Sequence, residues 1–112
     1  MTTATVDVTV EDGRVGIAVT GEVDLANAAA VEDQIVAAIT NQVASVSVDL
    51  GAVDYMDSAG MRILFALASR LAGLQIGLEV VAPVGSSARR LVEVSGLAPL
   101  VAVRPPIDRD AG

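Results

Sequence analysis

Between Ser45 and Leu71 the chain reads SVSVDLGAVDYMDSAGMRILFALASRL. Val46, Val48 and Leu50 alternate with Ser45, Ser47 and Asp49, a period of two that reads as a strand. From Ser58 the period lengthens. Met61, Leu64, Leu67 or Ala68, and Leu71 then fall on one stripe of a helix, which Gly73 stops. The segment Gly51 to Asp57 between the two reads as a loop. Strands joined through helices are the building pattern of an α/β sheet.

The same alternation of periods extends to both sides. Val6, Val8 and Val10 alternate with polar residues, as do Val15, Ile17 and Val19 with their neighbours. Asp12-Gly13 between them is a hairpin signal, because Gly tolerates positive φ. Gly21 is expected to end the second strand, and Asp24 to be the N-cap or near-cap of a helix. That helix carries Ala28, Val31, Ile35 and Ile39 and ends near Thr40-Asn41. Ile76, Leu78 and Val80 form a fourth strand closed by Pro83. Ser86-Ser87 caps a third helix with Ala88, Leu91 and Val92, ending at Ser95-Gly96. Leu100 to Val103 reads as a last strand.

The resulting order is β-β-α-β-α-β-α-β. Helical crossovers make the later strands parallel, and the opening hairpin makes the sheet mixed. Strands covered on both faces read as unbroken apolar runs; these alternate, so the helices are expected mainly on one face. Thr9, Ser47 and Asp49 then line a partly wet opposite face. Residues 1–104 are expected to form one domain and 105–112 a short tail.

Composition excludes several classes of function. The 112 residues include no Cys and no His, and all seven basic residues are Arg. Thiol nucleophiles, Cys/His zinc sites, disulfides, Ser-His dyads and lysine Schiff bases are thereby absent. A net charge of −7 opposes binding to nucleic acid or an anionic membrane. The N-terminus has no signal-peptide pattern, and no apolar run is long enough to span a bilayer. The chain reads as a soluble, acidic, cytoplasmic domain.

Val53-Asp54-Tyr55-Met56-Asp57-Ser58-Ala59-Gly60-Met61 is the least generic segment. It places acidic residues and a serine where a strand's C-terminal end meets a helix, the usual functional crevice of an open α/β sheet. The helix start offers unpaired N–H groups and a partial positive charge. Ser58 reads as an ordinary N-cap, a role for which Ser is among the best residues. As a nucleophile it lacks a base, since Asp57 is an ordinary carboxylate and neither His nor Lys is present. Asp24, Asp54 and Asp57 are too scattered for a metal site. Gly60 in a first turn costs about 1 kcal/mol relative to Ala, which implies close approach of another backbone, from the same domain or a partner.

Four separated motifs together resemble the STAS domain, nearest to the bacterial anti-sigma factor antagonists. They are Gly21-Glu22-Val23-Asp24-Leu25, Val48-Asp49-Leu50, Tyr55-Met56-Asp57-Ser58-Ala59-Gly60-Met61, and Ala88-Arg89-Arg90-Leu91 with Ser95-Gly96-Leu97. The resemblance runs from about Val6 to Val103. It implies a protein that binds an anti-sigma factor, itself a serine kinase, and so frees a sigma factor for transcription. Phosphorylation of the serine matching Ser58 then ends the interaction, and a serine phosphatase resets it. Asp24, Tyr55, Asp57, Ser58, Ala59, Gly60, Met61 and Arg62 are the expected partner-binding residues, with no cofactor and no metal. Ala59 and Gly60 would admit a partner's backbone, and Met61 or Tyr55, whichever is exposed, would anchor it. Arg62 departs from the small residue many relatives carry there, and either tunes partner choice or pairs with Asp24 or Asp57. Pro105-Pro106 and the tail replace a last helix common in relatives. The alternatives are a STAS subunit without a switch, in a lipid-transport complex or a sensory scaffold, and a binding module for nucleotide or lipid.

Overall fold

Asp12 and Gly13 both adopt positive φ, 50° and 78°, which is the conformation of a two-residue type I′ turn. The turn joins β1 (Ala4–Glu11) to β2 (Arg14–Val23) in antiparallel register, with Val6 opposite Val19 and Val8 opposite Ile17. The structure is a computed structural model and describes residues 3–40 and 42–106. After the hairpin come α1 (Ala28–Ala37), β3 (Ser45–Met56), α2 (Ser58–Gly73), β4 (Gly77–Val81) and α3 (Ser87–Val94). A 3₁₀ turn (Ala98–Leu100) and β5 (Ala102–Arg104) complete the order. The five strands lie in sequence order, and β2, β3, β4 and β5 pair in parallel.

One face of this mixed sheet is dry. Val15, Ile17 and Val19 of β2, Val46, Val48 and Leu50 of β3, and Val80 of β4 are all buried. They pack against Val31 and Ile35 of α1, Met61, Leu64, Leu67 and Leu71 of α2, and Ala88 and Val92 of α3. The intervening residues Gly16, Ala18, Ser47, Asp49 and Glu79 face the other side and remain partly or fully exposed. The helices therefore cover one face, as the alternation predicts. Each large apolar side chain moved out of water there contributes about 1.5–3 kcal/mol.

The third helix follows its capping signal: Ser86 Oγ accepts from Arg89 N at 3.1 Å. Arg89 extends from its first turn to Glu93 one turn on (Nε–Oε1 3.0 Å) and donates from Nη1 to the Ala82 carbonyl at 2.9 Å.

Four boundaries differ from the sequence expectation. Gly21 does not end β2. It takes φ +95° within the strand, and a Cβ there would collide with the Thr3 carbonyl oxygen. Gly51 to Met56 is not a loop but the second half of β3, kept in the sheet by continued pairing with β2. The first helix ends at Ala37, before the expected Thr40; Asn41 lies outside the described residues. The last strand is shorter and starts later, because Ala98–Leu100 forms a 3₁₀ turn with Pro99 in it. Of the expected tail, Pro105 and Pro106 have no regular structure, and residues 107–112 lie outside the described set. Among the described residues no helix is long and apolar enough to cross a membrane.

Candidate functional site

Two irregularities in β3 build the site. Between Ala18 and Val23 of β2 the paired segment of β3 runs from Asp49 to Met56, so β3 carries extra residues at two places. Such bulges bend a strand and re-aim its side chains. The first is held by Asp49, whose Oδ1 accepts from Gly51 N at 2.8 Å. The second leaves Asp54 and Tyr55 exposed while Met56 turns inward. Both strands then end side by side: Val23 pairs with Met56, and Asp57 N donates to the Val23 carbonyl at 3.3 Å. The loop that begins at Asp24 and the start of α2 are thus neighbours.

Asp57 caps α2. Its Oδ1 accepts from Ala59 N at 2.8 Å and more weakly from Gly60 N at 3.4 Å. The cap is therefore Asp57 and not Ser58, which occupies the first helical position. This settles the ordinary structural reading of the serine: its hydroxyl is exposed and makes no hydrogen bond with another described residue. Replacing Asp57 by Ala is expected to remove about 1 kcal/mol of stability, and Asp57→Asn to recover most of it. Thermal unfolding of the two variants reads this as a midpoint lowered by several degrees in the first and little changed in the second.

Asp24 organises the neighbouring loop without capping the helix. Its Oδ1 accepts from Ala26 N at 2.8 Å, and its own N–H donates to Asn27 Oδ1 at 3.0 Å. Asn27 is the N-cap of α1, three residues later than expected, and its Nδ2 donates to the Glu22 carbonyl at 2.8 Å. The side chain ties the loop to the end of β2, so the loop is braced from both ends.

The expected contact residues divide by burial. Asp24 and Asp57 are half-buried, and Tyr55, Ser58 and Arg62 are exposed. Met61 is only 4% exposed and belongs to the core, so the expectation that it anchors a partner is corrected. Its position on the apolar stripe places it under the helix. Ala59 and Gly60 are buried too. A Cβ on Gly60 would collide with the Met56 side chain and press on Val23 Cγ1 at 3.3 Å. The missing side chain makes room for the chain's own packing, not for a partner's backbone. Arg62 belongs to neither of the ion pairs found among the described residues, Arg89–Glu93 and Arg104–Glu79. It is exposed at the start of α2.

Leu25 is a surface residue that the sequence reading did not single out as a contact. It is 80% exposed beside Ala28, Ala29 and Arg62. Its signal was an isolated large apolar residue off the helical stripe. Tyr55, at the end of β3, is a further exposed apolar side chain, 51% exposed. No group of three or more carboxylates is placed to hold a metal ion among the described residues, so Asp24, Asp54 and Asp57 do not converge.

The sequence profile of the STAS domain matches residues 5–109. The anti-sigma-F factor antagonist RsfB of Mycobacterium tuberculosis (strain H37Rv) is 34% identical over 93 residues, covering 83% of this chain and 75% of that protein. The crystal structure of an anti-sigma factor antagonist from Mycobacterium paratuberculosis superposes with a TM-score of 0.85 at 32% identity, covering 95% of this chain and 89% of that one. The phosphorylated form of the Bacillus cell fate determinant SpoIIAA shares the fold, with a TM-score of 0.72 at 20% identity over 96% of both chains.

Proposed function

This chain belongs to the STAS domain family, and on that premise we propose that it is an anti-sigma factor antagonist switched off by phosphorylation of Ser58. It binds an anti-sigma factor through the end of the sheet where Asp24, Leu25, Tyr55, Ser58 and Arg62 meet, and so releases a sigma factor. The anti-sigma factor is also the serine kinase, a serine phosphatase restores the hydroxyl, and the cycle runs in the cytoplasm. The chain supplies a contact and a phosphate acceptor, and no catalytic group.

The observation that carries this reading is the state of Ser58. Its hydroxyl is exposed at the first position of α2, and Asp57 has already taken the capping role. A serine freed from capping is accessible to an incoming kinase. Added phosphate carries about −1.5 to −2 charges. The helix dipole favours an anion there, yet Asp57 already occupies two of the N–H donors. In the free chain water screens the new charge, and the fold persists. Against a partner surface shaped for a neutral hydroxyl, the phosphate is desolvated without a cation. Penalties of that kind reach several kcal/mol.

Incubation with each kinase-type anti-sigma factor of the source organism and ATP, read by intact mass, tests the proposal. A single phosphate is expected on the native chain and none on Ser58→Ala. A chain that gains no phosphate from any of them fits the switchless STAS subunit instead, and phosphate persisting in Ser58→Ala rejects the assigned site.

A further inference from the structure

A furrow runs between α1 and α2. Leu25 and Ala59 open it beside Ser58, Glu32 and Ile63 line it along both halves, and Ala66 and Arg70 lie at its far end. The two halves hold about 240 and 140 Å³. The floor is apolar, with Ile35, Ile63 and Leu67 buried along it, and the walls are charged with opposite sign. Glu32 and Asp33 stand on α1, and Arg62 and Arg70 stand on α2. Arg62, Ala66 and Arg70 are spaced by four residues, so they share one helix face over about 12 Å. No ion pair closes the furrow, since those among the described residues lie elsewhere.

We infer that this furrow is a second docking surface for the anti-sigma factor, taking an amphipathic helix with basic residues facing α1 and acidic residues facing α2. The inference rests on the antagonist reading above. Opposed walls of opposite charge select a ligand whose two edges carry the complementary charges, and they fix its direction. A helix suits the site because it satisfies its own backbone, and the furrow between two helices offers no free N–H or C=O groups for a strand. The apolar floor supplies the contact for the helix's apolar face, at the usual interaxial distance of about 8–10 Å. A second copy is disfavoured by the net charge of −7. The furrow opens beside Ser58, so one partner reaches both. Phosphate at Ser58 then switches the interaction, while the furrow determines which partner is held.

The probe is the purified anti-sigma factor that phosphorylates the chain in the experiment above, titrated calorimetrically at low and moderate salt. The double variant Glu32→Arg/Asp33→Arg, Arg70→Glu, and Ala66→Trp, which obstructs the furrow from the α2 side, are each expected to weaken binding about tenfold or more. The charge reversals should also reduce its salt dependence. Circular dichroism checks the fold, and the reversals decide the matter if Ala66→Trp unfolds. Wild-type affinity in the folded reversals overturns the furrow while leaving the antagonist reading intact. A chain dimer that Ala66→Trp disrupts also overturns it, in favour of a second copy. Failure of every anti-sigma factor to bind the wild type rejects the antagonist reading and this surface with it.

Discussion

Ser58→Asp is expected to weaken binding to the anti-sigma factor by about ten- to a hundredfold, corresponding to about 1.4–2.7 kcal/mol. Ser58→Ala is expected to bind nearly as the wild type does. The asymmetry follows from the surroundings of the hydroxyl. In the free chain it is exposed and bonded to no other described residue, so its removal strands no polar group. A carboxylate there stands next to Asp57, whose oxygen already accepts from Ala59 and Gly60, so two of the local donors are in use. The added charge keeps its hydration only while no partner covers it. One charge is less than a phosphate brings, which is why the expected loss is smaller than for phosphoserine. Titration of the two variants against one anti-sigma factor measures both effects. Equal binding by all three proteins contradicts the electrostatic account.

Gly21→Ala is the substitution expected to cost most stability per atom added, about 1–3 kcal/mol. The residue holds φ +95°, a conformation that penalises any side chain by about 1–2 kcal/mol. The new methyl also meets the Thr3 carbonyl oxygen, a backbone atom whose partner is Glu22 N at 2.9 Å. Relief requires moving the start of β1 away from β2, which breaks that bond. The damage falls next to the site, because Gly21 pairs with Val53 between the two bulges of β3. Urea unfolding should show a lower midpoint at unchanged slope. Wild-type stability in Gly21→Ala would mean that the left-handed backbone is not required there.

The order of elements along the chain and the one-sided core were legible because they depend on alternation, which the sequence displays directly. Val15, Ile17 and Val19, and Val46 and Val48, all face the helices as their spacing requires. The hairpin was legible through Asp12-Gly13, where turn chemistry is local. What was hidden is the second half of β3. Bulges break the period of two, so Gly51 to Met56 lost the pattern that identifies a strand, although pairing with Thr20 to Val23 holds it in the sheet. Gly21 misled for a related reason: a glycine inside a strand marks either a break or an irregularity, and only the neighbouring chain distinguishes them.

The site was legible as a location but less so as a set of roles. Asp57 and Ser58 are adjacent, and both are good caps. Which one caps depends on where the helix starts, and that in turn depends on where β3 stops. Once β3 extends to Met56, Asp57 falls at the cap and Ser58 is left unengaged. Gly60 is small because Met56, turned inward by the second bulge, fills the space beside it. Met61 follows the core stripe and is unavailable to a partner. The long-range pairing of β2 with β3 thus determines which hydroxyl is offered at the surface.

The account turns on whether phosphate at Ser58 separates this chain from its anti-sigma factor. The most direct measurement prepares the chain phosphorylated at Ser58 alone and compares its dissociation constant with that of the unmodified chain, against the same anti-sigma factor. A loss of about 4 kcal/mol, roughly a thousandfold in affinity, is the predicted result. Equal affinity of the two forms would contradict it.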